Sequence, residues 1–132
     1  SIFADTSFYI GLAGARDQYH PSARRILSTH LGGYVTTTAV LLEVGNFLAA
    51  RQSRAEFTRL MRILTSSGQV EIVAIDDALW SRGLELYAAR TDKDWSLTDC
   101  LSFLVMDRKK IREAATSDRH FQQAGFEVLM SP

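Results

Sequence analysis

The feature that most constrains this chain is a set of short apolar runs, each of which stops at polar residues and gives way to helical periodicity. Ile2-Phe3-Ala4 ends at Asp5-Thr6-Ser7, Tyr34-Val35-Thr36 ends at Thr37-Thr38, and Val70 to Ile75 ends at Asp76-Asp77. Runs this short, apolar and rich in β-branched residues read as strands. Between them, apolar residues recur at helical spacing, as in Phe57, Leu60, Met61 and Leu64, with arginines on the opposite face. Strands alternating with helices call for an α/β fold, a parallel sheet covered by helices on both faces.

The expected order follows from the local signals. A first strand ends at Asp5, and a short helix from Phe8 to Ala15 is capped by Thr6 or Ser7. A helix over Tyr19 to Leu27 carries Pro21 in its first turn, where a missing N–H costs nothing. After the second strand, Thr37 or Thr38 caps an apolar helix from about Ala39 to Arg51, followed by a helix over Arg54 to Thr65. The strand over Val70 to Ile75 leads to a helix ending near Arg90. Ser96 opens another that reaches about Arg108. A strand over Glu113 to Thr116, a helix over Asp118 to Ala124 and a strand over Glu127 to Leu129 close the chain.

At 132 residues, with no repeat, low-complexity tract or linker, residues 1–132 form a single domain. The formal net charge is zero, so composition alone gives no sign of a nucleic-acid partner. The one cysteine, Cys100, has no Cys or His at ligand spacing, which argues against structural zinc and for a reducing, cytoplasmic setting. No apolar stretch approaches the roughly 20 residues of a membrane span, and the first residues lack the basic start and cleavage site of a signal peptide.

Four acids stand where strands give way to helices or where an apolar helix is interrupted: Asp5, Glu43, Asp99 and Asp118. Ligand crevices of open α/β sheets lie outside the carboxyl ends of the strands, so Asp5, Asp99 and Asp118 can share one rim. Each also has a plain structural reading. Ser96-Leu97-Thr98-Asp99 fits a capping box, Asp118 is a good N-cap, and Asp5 can cap the helix after it. Glu43 has no cap to explain it and sits in an apolar helix with Ala39, Asn46 and Ala50 around it, its plain reading being a side chain that reaches out to solvent. If the four meet, each pair at about 4 Å repels by roughly 4 kcal/mol at an effective dielectric near 20, so the cluster takes up protons or binds a cation. Oxygen ligands without His or Cys favour Mg²⁺ or Mn²⁺, which points to phosphodiester hydrolysis.

Four motifs in order carry a family resemblance over essentially the whole chain: Phe3-Ala4-Asp5-Thr6-Ser7, Thr38 to Asn46, Trp95-Ser96-Leu97-Thr98-Asp99-Cys100, and Ala115-Thr116-Ser117-Asp118-Arg119-His120-Phe121. The sequence resembles the PIN domain, specifically the small ribonucleases of VapC-type toxin–antitoxin pairs. The resemblance implies a three-layer α/β/α fold with a central four- or five-stranded parallel sheet. It implies catalytic and metal-binding roles for Asp5, Glu43, Asp99 and Asp118. It also implies a Mg²⁺- or Mn²⁺-dependent endoribonuclease with an RNA substrate, an antitoxin partner and a homodimer.

Around the quartet, Thr6 and Ser117 read either as groups that orient a carboxylate or as helix caps, and Asn46 as a pocket or surface residue. Arg119 is the foremost cation for RNA because it adjoins Asp118. His120 reads as a proton-transfer group or a packing residue. Tyr9 reads as core, and Trp95 is left between core packing and an exposed role, stacking on bases or meeting a partner protein. Asp92 and Asp94 read either as further metal-site acids or, more simply, as a solvated loop, and Cys100 as a small buried hydrophobe. Two other functions fit less of the sequence. One is a binding module of the same fold with little cleavage. The other is a phosphoacceptor domain, which expects a Lys where Ser117 and Asp118 stand.

Overall fold

The computed structural model describes residues 1–132. The elements are β1 (Ile2–Ala4), α1 (Thr6–Ala13), α2 (His20–Thr29), β2 (Tyr34–Thr37), α3 (Thr38–Phe47), α4 (Arg54–Ser66), β3 (Val70–Val73), α5 (Asp77–Ala89), α6 (Leu97–Lys109), β4 (Glu113–Ala115), α7 (His120–Gln123) and β5 (Glu127–Val128). The five strands form one parallel sheet in the order β3-β2-β1-β4-β5. Every residue of β1 and β2 is buried, which requires cover on both faces, the three-layer arrangement. No helix is long and apolar enough to cross a membrane.

Strand order steps outward from β1 to β2 and β3, then returns past them to β4 and β5. The direction of winding therefore reverses between β1 and β4. A crevice opens at the carboxyl ends of strands where that reversal occurs. The pairing that fixes this point sets Phe3 beside Ala114 and Ala4 beside Ala115, and Asp5 N–H donates to the Ala115 carbonyl at 3.1 Å. Under the crevice, Phe121 and Phe3 are wholly buried, with Phe103 packed edge-on against both Phe121 and Trp95. Trp95 is thus a core residue, its indole N–H donating to Gln123 at 3.1 Å. Tyr9 is buried as expected, packed edge-on to Phe8.

Several boundaries differ from the sequence expectation, each for a local reason. The position before α1 is taken by Asp5, and the Thr6 and Ser7 hydroxyls bond elsewhere instead of capping. Thr37 caps α3 through Val40 N–H at 3.1 Å, but α3 ends at Phe47 rather than near Arg51. The strand over Val70 to Ile75 shortens to Val73 and lies at the sheet edge, only partly buried. The last helix begins at His120 rather than Asp118, which stays outside it and accepts from His120 N–H at 2.9 Å.

Candidate active site

Asp5 follows β1 directly and precedes α1, so strand and helix together set its carboxylate at the carboxyl end of the central strand, where the winding reverses. Asp5 is 6% exposed, and its carboxylate accepts a 2.7 Å hydrogen bond on Oδ2 from the hydroxyl of Thr116, which follows β4. Burial drives its pKa up to about 7, against the pull of the Thr116 and Thr6 donors, and the neighbouring Asp99 and Glu43 charges push it the same way. A buried acid with two like-charged neighbours and no cation beside it lacks a counter-charge.

Thr116 is the hub of the bonds here, and its role was not assigned from sequence. Its one proton is committed to Asp5, so its oxygen acts as acceptor to Asp118 N–H at 3.1 Å and to the Ser7 hydroxyl at 3.3 Å. The Ser7 oxygen in turn accepts from Ser117 N–H at 3.0 Å. The orienting role weighed for the Ser117 side chain thus falls to Thr116 and Ser7. The hub joins Thr116 to Ser7 across 109 residues, so no local signal in Ala115-Thr116-Ser117-Asp118 separates Thr116 from Ser117.

Asp99 lies in the first turn of α6 and completes the capping box read from the sequence. Its N–H donates to the Ser96 hydroxyl at 3.0 Å, and its Oδ2 accepts from Ser96 N–H at 3.1 Å. The cap does not exclude the crevice, because the side chain is buried and its pKa is raised, by burial first and by the Asp118 charge as well. His120 Nδ1 approaches the same Asp99 oxygen at 3.1 Å and Asp118 Oδ1 at 3.3 Å. One donor atom from each of Asp99, Asp118 and His120 falls within a 4.8 Å set, a grouping suited to holding a cation.

Glu43 reaches solvent, the plainer of its two readings, and still meets a neighbour of the crevice. It is exposed on α3 rather than part of an apolar face, and the Thr6 hydroxyl holds its Oε1 at 2.7 Å. Of the two readings of Thr6, the carboxylate-orienting contact is the one observed. Asn46 is exposed and takes no part in these bonds, and Cys100 is buried. Asp92 is engaged away from the acids, bidentate with Arg90, whose guanidinium also lies over Trp95 at 4.6 Å. Arg112 donates to the Gly125 carbonyl and Lys109 to Glu71, while Arg119 is exposed beside Asp118.

The sequence matches the family model described as PIN domain over residues 2–127. It is 32% identical over 126 residues to the 23S rRNA-specific endonuclease VapC20 of Mycobacterium tuberculosis, covering 95% of each chain. The crystal structure of that species' VapC20, described as a Sarcin-Ricin loop cleaving toxin, superposes with a TM-score of 0.90 at 28% identity, covering 99% of this chain and 100% of the other. FitAcB from Neisseria gonorrhoeae is similar in fold alone, with a TM-score of 0.66 at 18% identity over 98% of this chain and 96% of its own.

Proposed function

The chain belongs to the PIN domain family, and from that premise we propose that it is a metal-dependent endoribonuclease, the toxin of a type II toxin–antitoxin pair. The observation that carries the reading is the Asp5 carboxylate, buried where the sheet reverses direction, with Asp99 and Glu43 adding negative charge to it. A 23S rRNA endonuclease with near-complete mutual coverage adds the substrate class. The sarcin–ricin loop, the target printed for the similar crystal structure, is the first RNA to test.

The donor set fits a hard divalent cation, Mg²⁺ or Mn²⁺: carboxylate oxygens predominate and a buried acid lacks its counter-charge. Asp5, Glu43, Asp99 and Asp118 are the residues proposed to hold it. When bound, such a cation activates water and offsets charge building on the phosphoryl oxygens. The chain's own contribution is order. Thr116 fixes Asp5, Thr6 fixes Glu43, and the Ser96 box fixes Asp99, so three carboxylates stay oriented without reorganising when substrate arrives. Arg119, exposed beside Asp118, is the cation proposed to meet the RNA backbone.

An antitoxin partner belongs to this reading, and the surface supports a protein contact. An apolar groove of about 550 Å³ is lined by Phe8, Tyr9, Leu12, Tyr34 and Leu60, with Leu27, Leu31 and Ile63 exposed around it. A homodimer and a cytoplasmic setting complete the proposal, supported by further exposed apolar side chains on α3 and α5 and by the single, buried cysteine.

The test is cleavage of 23S rRNA and a sarcin–ricin hairpin with Mg²⁺, with Mn²⁺ and with EDTA, beside an Asp5→Asn variant. Cleavage that needs metal and vanishes in the variant is expected. Equal inertness of both proteins on these RNAs and on a mixed RNA pool would instead favour the binding-module reading.

A further inference from the structure

We propose that His120 is itself a ligand of the divalent cation, making Asp99, Asp118 and His120 a mixed oxygen–nitrogen site that favours Mn²⁺ over Mg²⁺, an inference that rests on the nuclease reading above and names the donor that selects the ion. The spacing is that of a coordination shell. Around an ion with bonds of about 2.1 Å, adjacent octahedral ligands lie about 3.0 Å apart and opposite ones about 4.2 Å. His120 Nδ1 stands 3.1 Å from Asp99 Oδ2 and 3.3 Å from Asp118 Oδ1, and the three donors share a 4.8 Å set.

The imidazole is held in this position by the chain around it. His120 is the first residue of α7, its N–H bonded to Asp118 Oδ1 at 2.9 Å, and its neighbour Phe121 is wholly buried against Phe103 and Phe3. A single Nδ1–H can be directed at only one of the two carboxylates it faces, whereas a cation among the three donors serves all of them. Selectivity follows from ligand type. Carboxylates accept Mg²⁺ and Mn²⁺ alike, but an imidazole nitrogen is a softer donor that suits transition-row ions.

The other two histidines are occupied elsewhere, His20 Nδ1 against the Gly11 carbonyl at 2.7 Å and His30 Nε2 against the Gly33 carbonyl at 3.0 Å. A histidine nitrogen detected at the bound metal therefore reports His120. Pulsed electron paramagnetic resonance of Mn²⁺ on the full chain is expected to show ¹⁴N coupling that is lost in His120→Gln. Calorimetry is expected to show Mn²⁺ affinity falling about tenfold or more in that variant, with Mg²⁺ affinity changing by less than about threefold.

Mn²⁺ bound to the wild-type chain without nitrogen coupling overturns the proposal, and this arm does not depend on how the variant folds. If RNA is cleaved under those conditions, only the role of His120 fails. If coupling is present but no RNA is cleaved, the ligand assignment stands and the nuclease reading fails. No Mn²⁺ binding at all overturns both.

Discussion

At the residue scale, Asp5 and Thr116 carry the most consequence. Asp5 has a pKa raised from 3.8 to about 7, so between those values the folded, metal-free chain keeps a proton that the unfolded chain releases. Stability therefore falls as pH rises through that window, and the full penalty is present above about pH 7. Asp5→Asn removes it. In EDTA the variant is expected to be more stable than wild type by on the order of 3 kcal/mol near pH 8, and by less than half of that near pH 5. Denaturant titrations at the two pH values check this, and added Mn²⁺ is expected to stabilise wild type more than the variant, which keeps Asp99, Asp118 and His120. Thr116 is fully buried and close in shape to valine, so Thr116→Val deletes the donor to Asp5 while keeping the volume. RNA cleavage is expected to drop about 10- to 100-fold, with Thr116→Ser close to wild type, because that oxygen is what orients the acid. Equal activity in the valine variant would mean that Asp5 needs no orienting bond.

At the scale of elements, strands announced themselves wherever an apolar run met a polar stop, and the Ser96 capping box fixed the start of α6 to the residue. Ambiguity gathered where one sequence signal has two outcomes. Asp99 fits both a cap and a crevice acid, and it occupies both positions at once, since its cap bond and its approach to His120 fall on one oxygen. Glu43 stands in an apolar helical run with no cap to explain it, yet it is exposed, as are Leu42 and Phe47, because exposure depends on what surrounds α3 rather than on its own composition. Thr116 and Ser7 form their hub across 109 residues of sequence, a relation that no local pattern encodes.

The pairing of α5 with α6 gives a test at this scale. Gly83 is buried on α5, and a Cβ there would come within 2.5 Å of Leu101 Cδ2 and 3.1 Å of its Cγ. Alanine gains up to about 1 kcal/mol in helix propensity, yet overpacking a close contact costs about 1–3 kcal/mol. Gly83→Ala is expected to lower stability by about 1–2 kcal/mol in urea titrations. Leu101→Ala is expected to cost less in the Gly83→Ala background than in wild type, the mark of two side chains competing for one space.

At the scale of the whole molecule, a chain with no net charge gains nothing from overall charge in attracting RNA, so affinity leans on local cations and on how many sites one assembly presents. Dimerisation doubles that number. Trp80, Leu84 and Tyr87 make an exposed stripe along α5 at i, i+4 and i+7, while Leu42 and Phe47 are exposed on α3. A stable interface buries about 800 Å² per partner, more than three side chains on one helix provide, so a dimer is expected to draw on both helices. Light scattering after size exclusion is expected to give a dimer for wild type. Phe47→Glu and Trp80→Glu should each give a folded monomer, because a charge desolvated at the centre of an apolar contact has no partner. Monomers from Trp80→Glu alone would confine the interface to α5. A monomeric wild type across micromolar concentrations would remove the dimer and leave RNA capture to Arg119 and its neighbours on one chain.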